Sequence, residues 1–114
     1  MFEYIARVHE VVDGDTIDVT IDLGFSIQHI IRLRLYGIDT PEKTSKDSNE
    51  RLAANLATKR ISELIEGKIV TVKTHKGSDK YGRYLAEVFH NGVNINKMLL
   101  TEGFAKEYFG GKKS

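Results

Sequence analysis

The chain has no cysteine, one proline, no long apolar run and almost no excess of either charge. The missing cysteine removes disulfides, thiolate zinc sites and a cysteine nucleophile together, so oxygen atoms or histidines would have to hold any metal. Seventeen Lys plus Arg against sixteen Asp plus Glu leave a formal charge of +1. That balance gives no global attraction to nucleic acid or membrane, so a case for a polyanionic partner must be local. The opening MFEYIARVHEVVDGD carries Glu3, Arg7, His9 and Glu10, which interrupt the apolar stretch that a signal peptide or spanning helix needs. A cytoplasmic monomer without membrane association is the expectation.

What is present suits one globular domain: 114 residues, 40% apolar and 29% charged. Residues 1–109 read as that domain and 110–114 as a flexible tail. Phe2 to Val12 is rich in β-favouring residues, and Asp13-Gly14 signals a reversal into a second arm, Thr16 to Asp22. There Ile17, Val19 and Ile21 share one face. A third strand, Ile27 to Tyr36, sets Ile31, Leu33 and Leu35 on one face with Arg32 and Arg34 on the other. Gly37 to Ser48, which holds Pro41, reads as a structured loop.

Asn49 to Ile65 places Leu52, Ala53, Leu56, Ala57, Ile61, Leu64 and Ile65 along one helical stripe, with Asp47 or Ser48 to cap it and Gly67 to stop it. Ile69 to His75 and Tyr84 to His90 are the fourth and fifth strands, the latter running into an Asn91-Gly92 turn. A short helix near Asn94 to Glu102 ends at Gly103. The pattern predicts a β-rich α+β fold, a five-stranded OB-type barrel with one main helix and a short C-terminal helix.

Chemistry concentrates in three places. A hard cation needs several oxygen ligands converging from separate turns, and Asp15 in DGDT and Asp39 in GIDTPE are the anionic candidates. Each is ordinary alone: an Asp-Gly pair makes hairpins, and Asp caps loops. Arg34 lies five residues before Asp39 in an alternating strand, where it could simply snorkel from a solvated face. Asp79-Lys80-Tyr81-Gly82-Arg83, between strands four and five, could be an exposed turn. The four histidines are scattered and lack the paired spacing of a metal site.

VVDGDT, RLYGIDTPE and DKYGR, in this order with a helix between the last two, resemble the staphylococcal nuclease (thermonuclease) family. The resemblance implies an OB barrel, calcium, and hydrolysis of DNA and/or RNA that leaves a 3′-phosphate. By that likeness Asp15 and Asp39 are the calcium carboxylates, with the Thr40 main-chain carbonyl as a further ligand. Glu42 is the general base, Arg34 and Arg83 are the phosphate-binding arginines, and Lys80 and Tyr81 contact a neighbouring phosphate. Asp13 and Asp18 flank the site without an assigned role. With Gly103 aligned, Phe109 and Gly111 stand where the family keeps a tyrosine pair beside the nucleotide, and Tyr108 lies one residue away.

Physical chemistry supports these roles independently. Attack of water on a phosphodiester builds charge on equatorial oxygens, which guanidiniums stabilise through paired planar hydrogen bonds. Pro41 limits how the loop presents Glu42. Asp15, Asp39 and Glu42 bring −3 and the two arginines +2, so one divalent ion would turn the site to +1, complementary to a phosphodiester. Positive coupling of metal and substrate is therefore expected. The competing reading is a noncatalytic OB module that binds nucleic acid or protein, but binding alone has no need of this set of acids and arginines together.

Overall fold

The structure, a computed structural model, describes residues 2–78 and 84–109. Strand β1 (Glu3–Asp13) turns through Gly14 and Asp15 into β2 (Thr16–Asp22), and β3 (Gln28–Leu35) follows antiparallel to β2. A two-residue strand, β4 (Ile38–Asp39), interrupts the expected loop. Helix α1 (Ser48–Ile65) leads to β5 (Ile69–Ser78) and β6 (Tyr84–His90). The chain closes with β7 (Val93–Asn94), α2 (Ile95–Thr101) and β8 (Lys106–Glu107). The strands β4, β7 and β8 are absent from the sequence reading, because two residues are too short to show a period of two.

The long strands pair in the order β3-β2-β1-β5-β6. Parallel pairing of β3 with β6, Leu33↔Tyr84 to Leu35↔Ala86, closes them into a five-stranded mixed barrel. Closure removes the sheet edges that would otherwise offer unpaired backbone groups. β1 pairs with β5 from Glu3 to Arg7 and with β2 from Ile5 to Asp13, its register on β2 shifting between Val8 and Glu10 and again between Val11 and Asp13; such bulges bend a strand and raise its twist. Ile17, Val19, Ile21, Leu33, Leu35, Val72 and Val88 fill the interior, as period two requires.

Turn chemistry follows the sequence in part. Asn91 and Gly92 both take positive φ (51° and 79°), which a two-residue hairpin of that type needs. Gly14 does not adopt a positive φ. Its glycine answers to space instead: a Cβ there would lie 2.9 Å from Thr40 Cγ2 and 3.0 Å from Ala57 Cβ.

That close approach also corrects the helix face. Asp47 caps α1, its side chain accepting from the Asn49 amide. Ala54, Ala57, Ile61 and Ile65 are the buried positions, whereas Leu52 and Leu56 are 59% and 49% exposed. Where the helix meets the Gly14 turn only an alanine-sized residue fits, so the leucines are turned outward. Beyond Ile61 the barrel leaves room for larger chains, and the predicted stripe holds.

Candidate active site at the mouth of the barrel

The β2–β3 register builds the first contact. Thr16 stands opposite Arg34, and Leu35 N–H donates to the Asp15 carbonyl at 2.8 Å, so the β1–β2 turn rides directly beside the end of β3. Three residues on, β4 folds back over the same place. Arg34 Nη2 lies 3.5 Å from Asp15 Oδ2 and donates to Asp39 Oδ1 at 3.3 Å. Asp15 is held from two further sides, accepting from the Thr16 hydroxyl at 3.1 Å and the Thr40 amide at 3.2 Å. These side chains come from three separate elements and meet at one nitrogen.

Arg34 is only 7% exposed, which overturns the view of it as a snorkelling surface residue. Arg32, on the same strand face, shows what that would look like. It is half exposed and pairs with Asp18 through bonds of 2.7 and 3.1 Å. The hydrogen bond from Arg32 holds the Asp18 carboxyl below its usual value, against a smaller upward push from burial. Asp18 thus belongs to a cross-strand surface pair. Arg34 differs because Asp39 and the Tyr108 ring, 5.1 Å from the guanidinium carbon, cover it.

Glu42 follows β4 on the loop that leads to α1. Among the described residues no group of three or more His, Cys, Asp or Glu side chains is gathered to hold an ion. The loop carrying Glu42 is fastened to the start of α1: its amide donates to Glu50 Oε1 at 3.4 Å, and Ser45 Oγ donates to Glu50 Oε2 at 2.7 Å. Arg51 reaches the Ser45 carbonyl, and Lys43 Nζ reaches the Val12 carbonyl at 2.8 Å. Glu50 was missed by sequence reasoning; an acid three residues beyond the helix cap was the available hint. Lys80, Tyr81 and Arg83 lie outside the described residues, as does the expected tail at 110–114.

Phe109, which stands where the family keeps a tyrosine, packs into an aromatic group. The Tyr36 ring stacks on His75 at 3.7 Å and 7°, and Phe109 meets it edge-on at 5.6 Å. His75 Nε2 lies 2.8 Å from Glu87 Oε1, and Asn94 donates to the other oxygen. Burial pushes the Glu87 carboxyl up, but the bonds from His75 and Asn94 outweigh it and hold the group below its ordinary value.

The model of the family described as staphylococcal nuclease homologue matches residues 32–114. The chain belongs to that family. An uncharacterized endonuclease of Escherichia coli is 37% identical over 103 residues, spanning 90% of this chain and 60% of its own length. The SPbeta prophage-derived endonuclease YokF of Bacillus subtilis is 37% identical over 97 residues, 83% of this chain and 31% of its own. An uncharacterized protein of Bacillus anthracis is 36% identical over 100 residues, 86% of this chain and 44% of its own. The chain thus spans about half the length of these curated relatives, or less. The closed barrel with two helices accords with the nuclease-homologue family, and among the described residues no helix is long and apolar enough to cross a membrane.

Proposed function

We propose that this chain is a calcium-dependent phosphodiesterase that hydrolyses DNA and/or RNA. The observation that carries the reading is the convergence of Asp15, Arg34 and Asp39 on one mostly covered point at the end of β3. The family and the endonuclease names of its relatives support the same chemistry.

The donor set fits a hard cation. Two carboxylates are drawn together around a single guanidinium, so the three side chains sum to −1 and favour a further positive charge. Every available donor is oxygen, which suits calcium. Asp15, Asp39 and the Thr40 carbonyl would hold the ion, with water completing a coordination shell that three protein ligands leave open. When bound, the ion supplies polarisation of a phosphoryl oxygen.

The chain's own groups do the rest. Arg34, with Arg83, binds the phosphate through planar hydrogen bonds and stabilises charge that grows on its oxygens. Lys80 and Tyr81 contact the next phosphate. Glu42 accepts a proton from the attacking water; the bond to the 5′ oxygen breaks, that oxygen takes a proton from solvent, and a 3′-phosphate remains. The strapped loop from Glu42 to Glu50 limits the positions the base can take.

Cleavage of single-stranded DNA and RNA, with calcium and with chelator, tests this. The same assay on Arg34→Lys and Glu42→Gln tests the roles. Activity that survives the chelator removes calcium from the proposal. Unchanged turnover in Glu42→Gln removes Glu42 as the base.

A further inference from the structure

We propose that Tyr108 is a positioning residue for Arg34, delivered to it by β8; this rests on the phosphodiesterase reading above. After α2 the chain reverses at Gly103 (φ 81°), with Phe104 N–H donating to the Leu99 carbonyl at 3.0 Å. Phe104 and Ala105 then pack against the core. β8 pairs with β4, Asp39 opposite Lys106 and Ile38 opposite Glu107, and Tyr108 N–H donates to the Gly37 carbonyl at 2.9 Å. Three consecutive residues are thereby tied to the segment that carries Asp39. The next consequence is the ring, whose centroid lies 5.1 Å from Arg34 Cζ, inside the range of attraction between a cation and an aromatic face.

The need for such a contact follows from how Arg34 is held. Among the described residues both of its ion pairs, to Asp15 and Asp39, run through Nη2. Those ion pairs set the position of Nη2 but not the tilt of the guanidinium about the line from Nη2 to its covalent stem. Phosphate recognition depends on the plane, because the fork of N–H donors must face two oxygens at once. An aromatic face over the central carbon restrains that tilt. The two carboxylates set where the guanidinium sits, and Tyr108 sets which way its remaining donors point. The same strand restrains Asp39, so β8 orders a carboxylate and a guanidinium of the site together.

The test uses the full chain with Tyr108→Leu and Tyr108→Phe. The first readout needs no catalysis: the Arg34 Nε–Hε resonance, displaced by the ring current, should move in Tyr108→Leu and stay near its wild-type position in Tyr108→Phe. The second is cleavage of a single-stranded DNA oligonucleotide with calcium. Tyr108→Leu should lower kcat about three- to thirtyfold with KM changed by less than about twofold, and Tyr108→Phe should recover most of that loss. Should Tyr108→Leu unfold, Tyr108→Met supplies a longer, adaptable chain without an aromatic face and makes the same comparison. An unmoved Arg34 resonance in the non-aromatic variant overturns the proposal, as does a Tyr108→Phe loss equal to that of Tyr108→Leu. If the wild-type chain cleaves nothing, the phosphodiesterase reading falls while the resonance still decides whether the ring holds Arg34.

Discussion

Replacing Gly14 with alanine should loosen the site without touching any of its charged groups. The new Cβ would meet Thr40 Cγ2 at 2.9 Å, Ala57 Cβ at 3.0 Å and Thr40 Cβ at 3.1 Å. Neither neighbour can step aside by rotating a flexible chain: Thr40 is β-branched and 5% exposed, and Ala57 is fully buried on α1. The backbone of the β4 segment or of the helix must shift by a few tenths of an ångström, an overpacking that costs about 1–3 kcal/mol. Backbone strain adds nothing, since Gly14 lies outside the positive-φ region. For a domain of this size the melting temperature should fall by about 4 °C or more per kcal/mol. The Asp15–Thr40 hydrogen bond, 3.2 Å long, spans the same gap, so calcium affinity should weaken as well. Urea unfolding of Gly14→Ala, Thr40→Ser and the double variant isolates the cause, because serine removes Cγ2 and keeps the hydroxyl. The double variant should recover at least about 0.5 kcal/mol relative to additivity. An equal cost of Gly14→Ala in both backgrounds would refute the clash with Thr40 Cγ2 as its source.

Removing the guanidinium by Arg34→Met leaves Asp15 and Asp39 facing each other in a mostly covered place. Without metal the fold should lose about 3–5 kcal/mol, and calcium should restore part of it by binding the native state; urea titrations with and without calcium measure both, and no recovery counts against this ion site. The Glu87 carboxyl lies below its ordinary value of 4.5 in the folded chain, so its contribution is fully present above that pH and fades as pH falls through the lowered value. Unfolding free energy measured from pH 5 to pH 3 should therefore decline less steeply in Glu87→Gln than in the wild type. On α1, Ile61→Ala should cost about 2–5 kcal/mol and Leu56→Ala less than about 1. Equal costs in thermal melts would contradict the observed helix face.

Much of the fold was legible because the long strands obey period two and their turns carry the matching residues. Ile17, Val19, Ile21, Leu33 and Leu35 are interior as expected, and Asn91-Gly92 makes the expected hairpin. The helix was legible as a helix but not in its orientation. Its sequence offers leucines and alanines on adjoining faces, and hydrophobicity alone favours burying the leucines. The VVDGDT and RLYGIDTPE motifs pointed to Asp15, Arg34 and Asp39 as one set, but not to the ion pairs that both acids make with Arg34. The burial of Arg34 was not, since a strand shows which residues share a face and is silent on what covers that face.

By itself the amino-acid order settled the number of long strands, the helix between them, the absence of thiolate chemistry and the family. These depend on local periodicity, on turn residues, and on short patterns that need no knowledge of distant partners. Only the folded chain decided that Gly14 is a matter of clearance, that β8 returns to β4, and that Tyr108 reaches Arg34. Each of those is a contact between segments far apart in sequence, fixed when β3 meets β6 and the barrel closes. Such contacts leave no period along the chain, because they express shape and not pattern.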